Sequence, residues 1–460
     1  MNNILLVLTD QQRWDSLGRV GGWTRTPVLD ALAECGVLFR NCYSNAPVCA
    51  PARVALATGR YPHNFGLWQN SGFDVPTTQS TWMKKVRQGG LHNVLFGKAH
   101  LHKKKGEDLY AYQDMMRALG YDEVEEVVGP RACVTVRSRM TDVWQEAGVL
   151  QAYRDDIRDR LQSCPWEARP SPLPLALYPD VYIADRAIDY LKAYDRDKPW
   201  CLTLGFPGPH EPWDCPEPYA SAHDPANMPL PLRLDYGADS MPGSTLRNRL
   251  LAKPELTLEA VQALRANYAG SIELIDTKVG EVLKVLAARG ELDDTWIIFA
   301  SDHGELNGDY GLLYKNAFFD AAAKVPLIVV PPSNFDTDQR ATECWEPVEL
   351  FDLAATIVDI VGQEVPQNWF AKSLVPLLQG RPDAHRPFAM VEFRGELMYA
   401  DRRWKLCLNR RGVPYLLVDR HSDPGERANF LVGDHGRLVE SLRLSLLSRL
   451  LQTQHLAPVS

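Results

Sequence analysis

The amino-terminal end of the sequence has little that could serve as a targeting or membrane-spanning segment. Its first apolar run, residues 4–8, follows Met-Asn-Asn, has no basic flank and is too short for a signal core or a membrane span. We therefore interpret this run as a first β-strand. On this interpretation we expect a cytoplasmic protein that does not have a membrane as a partner.

The sequence also lacks an excess of positive charge. Its 50 Lys and Arg residues are outnumbered by 58 Asp and Glu residues, which gives a formal net charge of −8. A negative balance argues against nucleic acid or an anionic membrane surface as the main partner. An anionic small-molecule substrate would therefore have to bind in a locally electropositive pocket.

Cysteine is sparse and forms no framework in the sequence. There are nine cysteines in 460 residues, with neither the C-x-x-C spacing of a zinc site nor the density of a disulfide-stabilised domain. Eight of them fit the role of small buried apolar residues. Cys49 is the exception because of its sequence context.

What the sequence does contain is a regular alternation of strand-like and helix-like segments. Hydrophobic residues make up 45% of the chain, and its length predicts one large domain with a smaller one appended. The alternation is typical of an α/β sheet with helices on both faces. The predicted strands are residues 4–8, 37–39, 93–96, 201–206, 296–300 and 326–330.

The predicted helices and loops complete this organisation. One helix is predicted to follow Thr26 as N-cap, with Pro27 at its first position, and the longest to run from about residue 257 to 290. Two proline-rich stretches, residues 164–179 and 207–242, predict long ordered loops, which are often functional. In the last part of the chain, short strands are predicted at residues 388–393, 397–400, 404–408 and 415–418, and an amphipathic helix at residues 437–451. We therefore predict a catalytic α/β domain at residues 1–380 and a C-terminal α+β subdomain at residues 381–460.

Polar residues directly follow two of the predicted strands. Asp10 and Gln11 come after the first strand, and Asp302 and His303 come after the strand that ends at Ala300. Ligands of α/β enzymes bind beyond the carboxyl ends of the strands. Together these side chains offer oxygen and imidazole ligands that suit a divalent cation.

Cys49 stands immediately before a predicted helix. Pro51 fits the first helical position, which places Cys49 where the positive end of the helix dipole is concentrated. Arg53, one helical turn later, adds a positive charge on the same face. A sulfur or oxygen nucleophile at residue 49 would therefore be stabilised as an anion.

The residues around Cys49 form the string C-x-P-x-R-x-x-x-x-T-G, with Thr58 and Gly59 at its end. This string resembles the signature of the sulfatase family, in which the cysteine is oxidised after translation to formylglycine (3-oxoalanine). Five fixed positions at roughly 5% usage each give a chance match on the order of one in ten thousand for a chain of this length. The resemblance implies that a formylglycine-generating enzyme acts on Cys49.

Further segments resemble the family in the expected order. NILLVLTDQQRWDSLG is similar to its first strand and metal-binding turn, GKAHLH to its Gly-Lys-x-His segment, FPGPHEPW to its Pro-His-x-Pro segment, and SDHGELNGDYGLLYK to its second metal turn and catalytic lysine. VELFDLAATIVDIVG, KSLVPLLQG and LLVDRHSDPGERANF resemble its later segments. The resemblance implies an alkaline-phosphatase-like fold: a large mixed sheet between helices, with a small C-terminal antiparallel sheet and helix.

Site residues follow from the resemblance position by position. It implies one divalent cation held by Asp10, Gln11, Asp302, His303 and the modified Cys49. Arg53 would orient and polarise the aldehyde hydrate. The residues that would bind the sulfate oxygens or protonate the departing oxygen are Lys98, His100, His210 and Lys315, and Asn70 is a further candidate for a substrate hydrogen bond.

These residue types suit the hydrolysis of a sulfate ester. An aldehyde hydrate has two hydroxyl groups, of which one, acidified by the cation, attacks sulfur and displaces the alcohol. The second hydroxyl then loses its proton, so that the aldehyde re-forms and sulfate leaves. Fixed positive charges at Lys98, His100 and Lys315 would stabilise the sulfuryl oxygens, and His210 and Lys315 would protonate the leaving oxygen.

The metal turns depart from the pattern of many sulfatases, which have Asp-Asp in the first turn and Asp-Asn in the second. The pairs Asp10-Gln11 and Asp302-His303 carry less negative charge and add a nitrogen ligand, so manganese is an alternative to calcium, with magnesium a third option. This variant is similar to that of choline sulfatases and phosphonate monoester hydrolases.

Lys98 and His100 retain the sulfate-type pair, so we predict hydrolysis of an aryl or small alkyl sulfate monoester. The alternative is a phosphonate monoester or phosphodiester hydrolase with the same nucleophile. A further alternative is a protein that is not an active enzyme: an inactive relative that binds anions, or a chain whose Cys49 is never oxidised. The alcohol part of the small anionic substrate stays open, as does the oligomeric state, a homo-oligomer included.

Overall fold

The first strand shows why the chain folds into layers. Leu5 and Val7 are buried in one hydrophobic core, whereas Ile4 and Leu6 are buried in a second core on the opposite face. Because side chains alternate along a strand, apolar residues at successive positions require a cover on both faces of the sheet. The computed structural model shows this arrangement and describes residues 2–70, 72–103, 108–340, 342–382, 385–431 and 433–454.

The strands form a large mixed sheet and two smaller sheets. In chain order they are β1 Asn3–Thr9, β2 Val37–Phe39, β3 Cys42–Tyr43, β4 His92–Gly97, β5 Glu123–Glu126, β6 Trp200–Gly205, β7 Thr295–Ser301, β8 Leu327–Val330, β9 Thr342–Cys344, β10 Val348–Glu349, β11 Ala389–Phe393, β12 Glu396–Ala400, β13 Trp404–Leu408 and β14 Pro414–Asp419. The large sheet has the order β5-β4-β6-β1-β7-β8-β2-β9. Its strands β5, β4, β6, β1 and β7 are parallel, whereas β8 runs antiparallel to both of its neighbours. The predicted mixed sheet is therefore confirmed.

Helices cover both faces of this sheet. They are α1 Gly18–Gly21, α2 Pro27–Cys35, α3 Cys49–Thr58, α4 Trp82–Gln88, α5 Gln113–Ala118, α6 Arg139–Glu146, α7 Leu150–Ser163, α8 Pro179–Ala193, α9 Thr245–Leu251, α10 Leu258–Ala288, α11 Asp320–Ala323, α12 Asp352–Ile360, α13 Val375–Leu378 and α14 Gly436–Gln452. Apolar residues of α2, α7, α8 and α10 pack with Leu5 and Val7, and those of α3, α4 and α12 pack with Ile4 and Leu6. None of the helices in the described ranges has the combination of length and hydropathy that a bilayer crossing requires.

The predicted elements are largely confirmed, and the differences have physical reasons. Each of the six predicted strands of the main sheet is present. The two edge strands of this sheet, β5 and β9, are not predicted, because their sequences, Glu-Val-Glu-Glu and Thr-Glu-Cys, have no apolar run. The two-residue strands β3 and β10 are too short to leave a pattern. The sequence predicts Pro179 as the end of a loop, but it is the first residue of α8, where the fixed φ of proline suits a helix start.

The last part of the chain forms the expected small antiparallel sheet followed by a helix. Strands β11 to β14 pair in order, each with the next. Val391 and Phe393 of β11 pack in one core with Tyr43 and Phe318 of the preceding region. Leu446 of α14 packs on the opposite face of this sheet. The boundary at residue 380 stays a prediction.

A buried lysine connects this sheet to the main sheet region. The Lys405 ammonium donates to the carbonyl oxygen of Phe318 at 2.8 Å, to the Asp320 carboxylate at 2.5 Å, and to the Glu426 carboxylate. Burial lowers the pKa of Lys405, but the charges of Asp320 and Glu426 outweigh that effect and raise it. The ammonium therefore stays charged between two carboxylates.

We expect Lys405→Met to destabilise the protein by about 3–5 kcal/mol, because it leaves the buried Glu426 carboxylate without its cation and removes one of the cations around Asp320. Urea unfolding followed by fluorescence measures this loss. The matched control is Arg403→Met, because Arg403 pairs with Asp419 at the surface of the same sheet. An equal loss in both variants would contradict the role assigned to Lys405.

Candidate active site

Four neighbouring strands of the main sheet end at one edge. Strands β4, β6, β1 and β7 are adjacent and parallel, so their carboxyl ends lie side by side. The residues that follow these ends are Lys98 after β4, His210 in the loop after β6, Asp10 and Gln11 after β1, and Asp302 and His303 after β7. Groups from four distant segments of the chain are thus brought to the same place.

Two glycines set the spacing between β4 and β6 at this edge. Gly97 pairs with Gly205 and has a φ of +111°. A Cβ atom on Gly97 would lie 2.1 Å from the carbonyl oxygen of Gly205, so a larger residue does not fit. The Lys98 N–H donates to that carbonyl oxygen at 2.7 Å. This close approach holds Lys98 at the end of the neighbouring strand.

Helix α3 begins at Cys49, which corrects the predicted position of Pro51. Val48 is the N-cap, so Cys49 is the first helical residue and Pro51 is the third. A proline is tolerated there because the N–H groups of the first turn have no partner within the helix. The Ala50 N–H instead donates to the Asn70 side-chain oxygen at 2.9 Å. Cys49 still lies at the positive end of the helix.

Arg53 links the ends of three strands. Its Nε donates to the Asp302 carboxylate at 2.7 Å, its Nη1 to the Lys98 carbonyl oxygen at 2.6 Å, and its Nη2 to the Asp10 carboxylate at 3.5 Å. The guanidinium is buried, so its positive charge offsets two buried carboxylates. Arg53 therefore holds both acidic groups in place beside Cys49.

Four of the predicted cation ligands form a compact group. One ligand atom from each of Asp10, Cys49, Asp302 and His303 lies within 4.8 Å of the others. His303 donates its Nδ1 hydrogen to the Gly304 carbonyl oxygen at 3.0 Å, which turns Nε2 toward the group, 3.0 Å from the Cys49 sulfur. Two carboxylates and an imidazole oriented by its second nitrogen fit a divalent cation.

Gln11 has its side chain turned toward other partners. Its carbonyl oxygen accepts from the Lys315 ammonium, and its amide nitrogen donates to Glu211 at 2.7 Å and to Glu305. Its backbone N–H donates to Asp302 at 3.0 Å. In this arrangement its side-chain oxygen contacts an ammonium group, and its role as a cation ligand stays a prediction.

Glu211 and Glu305 were not anticipated as part of the site. Both are fully buried, and Glu305 also accepts from the N–H of Asn307 at 3.0 Å. Burial, and then the charge of Glu211, raises the pKa of Glu305. In the sequence, Glu211 directly follows His210, and Glu305 lies two residues after His303. Their position beside predicted site residues was the feature by which they could have been found. Together they orient the Gln11 amide.

Lys315 and His210 form a hydrogen-bonded pair. The Lys315 ammonium donates to His210 Nε2 at 2.7 Å, and His210 Nδ1 donates to the Glu211 carbonyl oxygen at 2.6 Å. These two contacts are compatible with a neutral imidazole that has its hydrogen on Nδ1. Burial lowers the pKa of Lys315, but the charges of Cys49, Glu211 and Asp10 outweigh it and raise that pKa. Lys315 therefore holds a proton at neutral pH.

The surroundings of Cys49 stabilise negative charge. Burial by itself raises the pKa of the thiol, but the charges of Lys315, Lys98 and His303, with a hydrogen bond to His100, hold it well below its ordinary value. Cys407 is equally buried, and there burial raises the pKa of the thiol. Residue 49 is thus surrounded by polar and charged groups, and an oxygen nucleophile in its place would also be stabilised as an anion.

Two family models match the chain. The model described as "Sulfatase" matches residues 2–363, and the model described as "N-sulphoglucosamine sulphohydrolase, C-terminal" matches residues 308–455. Together the two matches cover most of the chain, including the edge of the sheet where the site lies.

Individual relatives are similar over nearly their full length. An arylsulfatase of Clostridium perfringens is 26% identical, over 97% of this chain and 94% of its own length. A multifunctional alkaline phosphatase superfamily protein, PehA, of Trinickia caryophylli is 29% identical, over 99% of this chain and 98% of its own. The crystal structure of a phosphonate monoester hydrolase of Agrobacterium radiobacter has a TM-score of 0.81 and 26% identity, covering 98% of this chain and 96% of that one. This likeness confirms the alkaline-phosphatase-like fold.

Proposed function

The chain belongs to the sulfatase family and is a hydrolase acting on sulfuric esters; we propose that it cleaves an aryl or small alkyl sulfate monoester with a nucleophile derived from Cys49. The observation that carries this proposal is the position of the Cys49 sulfur. It lies 3.0 Å from His303 Nε2 and 3.8 Å from an Asp10 carboxylate oxygen, beside the charges of Lys98 and Lys315. Oxidation of Cys49 to formylglycine by a modifying enzyme would place a hydrated aldehyde there, with an oxygen where the sulfur now stands.

The cation part of the proposal rests on the donor set. Asp10, Asp302, His303 and residue 49 would hold one divalent ion. Gln11 is proposed as a further ligand. A bound cation supplies Lewis acidity, which lowers the pKa of a hydroxyl group in contact with it. Arg53 keeps both carboxylates aligned through its own hydrogen bonds. Calcium is the first choice, and manganese and magnesium are the alternatives.

Stabilisation of the transferring sulfuryl group is assigned to the cationic side chains around residue 49. The Lys98 ammonium forms an ion pair with the Asp10 carboxylate. The charge of Lys315 and a hydrogen bond with His100 both lower the pKa of the Cys49 side chain. Charge that develops on the sulfuryl oxygens would therefore meet three fixed donors in a buried site. Asn70 accepts from the helix start with its side-chain oxygen, so its amide nitrogen is the donor that it can offer to a substrate.

Protonation of the leaving oxygen is assigned to Lys315, with His210 as its partner. Lys315 holds a proton, and the 2.7 Å contact to His210 Nε2 fixes the direction of its ammonium group. His210 is in turn oriented by the Glu211 carbonyl oxygen. This pair can deliver a proton to an alcohol oxygen as the bond to sulfur breaks.

We expect Lys315→Ala to reduce kcat/KM for an alkyl sulfate by roughly 10²–10⁴-fold, the range that general acid catalysis contributes. The loss should be smaller for 4-nitrophenyl sulfate, because nitrophenolate leaves without protonation. The comparison of both substrates in one preparation measures the difference. Lys284→Ala, an exposed lysine on α10, is the control. Equal losses for the two substrates would assign Lys315 to sulfate binding alone.

The phosphonate alternative is supported by the likeness to the Agrobacterium radiobacter hydrolase and by the Asp302-His303 pair. The test is a comparison of kcat/KM for 4-nitrophenyl sulfate and a phosphonate monoester of the same phenol, with added Ca²⁺, Mn²⁺ or Mg²⁺. We expect the sulfate to be the better substrate because Lys98 and His100 are retained. A higher value for the phosphonate would favour the alternative.

The modification of Cys49 is tested by the mass of the peptide that contains it. Conversion of the thiol to an aldehyde lowers this mass by a fixed amount. We expect the lower mass in protein from its native host, in step with sulfatase activity. An unmodified thiol in fully active protein would remove formylglycine from the proposal.

The prediction of a cytoplasmic location is also part of the proposed function, and cell fractionation tests it.

A further inference from the structure

We propose that the alcohol part of the substrate carries a second anionic group, a carboxylate or a second sulfate, which binds Arg394 and Arg410. This inference rests on the proposed function, because it assigns the far end of the same substrate. It concerns two neighbouring cavities that share these two arginines in their walls. One is also lined by Tyr314, the residue before Lys315, and the other by Gln69, the residue before Asn70. Together we call the two cavities the arginine groove.

The first cavity of the arginine groove lies on the side of Lys315. It has a volume of about 530 Å³, and its walls include Trp166, Arg249 and Tyr314. Tyr314 directly precedes Lys315 in the chain. Arg249 donates to the backbone carbonyl oxygens of Lys315 and, at 2.5 Å, of Leu313. The cavity is therefore built on the segment that carries the catalytic lysine.

The second cavity lies on the side of the helix that begins at Cys49. It has a volume of about 600 Å³ and is lined by Trp68 and Gln69 in addition to the two arginines. The next residue, Asn70, accepts from the N–H of Ala50. The second cavity is therefore lined by the chain segment that leads to the start of α3, and the inference places the far end of a substrate bound at residue 49 along this segment.

The charges of Arg394 and Arg410 make only weak interactions with the rest of the protein: the Arg394 guanidinium lies 5.3 Å from the centre of the Phe393 ring, and Arg410 acts electrostatically on Glu396. Both are exposed, and neither has a carboxylate at ion-pair distance among the residues that the structure describes. Other arginines of the same sheet do: Arg402 pairs with Glu346 and Arg403 with Asp419. In a chain with a net charge of −8, two unpaired arginines in one groove form a local electropositive site.

A third arginine adds to the positive potential of the groove. The pKa of Arg249 is lowered to about 10, chiefly by burial; the charge of Glu305 opposes this shift, and the charge of Arg394 adds to it. Arg394 is thus close enough to Arg249 for the two charges to repel. A bound anion would relieve this repulsion, which favours an anionic group between them and Arg410.

The two arginines sit on hairpins that are held firmly in position. Arg394 has a φ of +50°, a conformation that is disfavoured for arginine, and its N–H donates to the Trp68 carbonyl oxygen at 3.3 Å. Glu396, two residues after Arg394, accepts from the Thr245 N–H at 2.6 Å. In the other hairpin, Asn409 donates to the Gly243 carbonyl oxygen at 2.9 Å. Both turns are therefore fixed against the region that leads to α9.

The chemistry of these side chains defines the class of substrate. A guanidinium group is planar and forms paired hydrogen bonds with carboxylate or sulfate oxygens. The half-buried rings of Trp68 and Trp166 offer flat apolar faces for an aryl or sugar ring between the two anionic ends. A cationic alcohol such as choline would be repelled. The inference therefore selects acidic sulfate esters among the substrates of the proposed function.

The test uses a series of 4-(sulfooxy)phenyl alkanoic acids of increasing chain length, each compared with its neutral methyl amide. For wild-type protein we expect kcat/KM of the acid to exceed that of the amide by about tenfold to a hundredfold at the best length, as for a hydrogen-bonded charge pair. In the double variant R394A/R410A this preference should disappear, while kcat/KM for 4-nitrophenyl sulfate stays unchanged. R402A/R403A, which removes paired arginines of the same sheet, is the control and should keep the preference.

The outcomes separate this inference from the proposed function. If wild-type protein hydrolyses 4-nitrophenyl sulfate but treats acid and amide alike at every length, the inference is overturned and the sulfatase activity stands. If no sulfate ester is hydrolysed by the modified, cation-loaded protein, the proposed function itself fails. The wild-type comparison of acid and amide needs no variant, so the inference can be tested even if R394A/R410A does not fold.

Discussion

Replacement of Cys49 by alanine is expected to lower kcat/KM for 4-nitrophenyl sulfate by on the order of 10⁴–10⁶-fold, the range seen when a covalent nucleophile is removed. Alanine can be neither oxidised to an aldehyde nor hydrated, so no oxygen remains at this position to attack sulfur. Lys98, Lys315 and His100 would still bind the sulfate. We therefore expect a bound but unreactive substrate, with KM changed far less than kcat.

The matched control is Cys407→Ala. Both cysteines are fully buried, but the positive surroundings of Cys49 lower its pKa, whereas burial raises that of Cys407. We expect Cys407→Ala to lower the free energy of unfolding through the small cavity that it leaves and to retain full activity. Both proteins should be produced with the modifying enzyme present. Comparable activity in Cys49→Ala and the control would remove residue 49 from the mechanism.

Removal of the divalent cation is expected to have the second largest effect, a loss of kcat of roughly 10³-fold. This corresponds to the several kcal/mol of charge stabilisation that a catalytic cation supplies. Activity should return on addition of the correct ion, and separate additions of Ca²⁺, Mn²⁺ and Mg²⁺ identify it. Full activity after exhaustive chelation would contradict a catalytic role for the ion.

Cation binding also has a readout that does not depend on activity. An ion present at 100 times its Kd raises the free energy of unfolding by about 2.7 kcal/mol, which thermal unfolding detects. In Asp302→Asn we expect this stabilisation to be greatly reduced, because one of the two carboxylates of the group is lost. Asp155→Asn, an exposed aspartate on α7, is the control and should respond as the wild type does. An unchanged response in Asp302→Asn would place the ion elsewhere.

Local patterns in the sequence were sufficient to predict the fold class. The apolar residues of β1 occupy both faces of the strand, and those of α10 recur every three or four positions, so both elements could be identified from a short window. The string around Cys49 is equally local, because its residues lie on one helix and its cap. Strand ends with polar residues predicted that Asp10 and Asp302 meet, since parallel strands share one carboxyl edge.

The sequence by itself thus determined that this is a sulfatase-like α/β protein, and it predicted which short segments carry the chemistry. The tertiary structure alone decided how Gln11 is turned, that Glu211 and Glu305 lie beside it, and that the Arg394 hairpin contacts the Trp68 segment more than 300 residues earlier. The physical reason is range. Periodicity and capping act between residues a few positions apart, whereas these contacts depend on how whole layers pack, and such packing leaves no pattern in either segment.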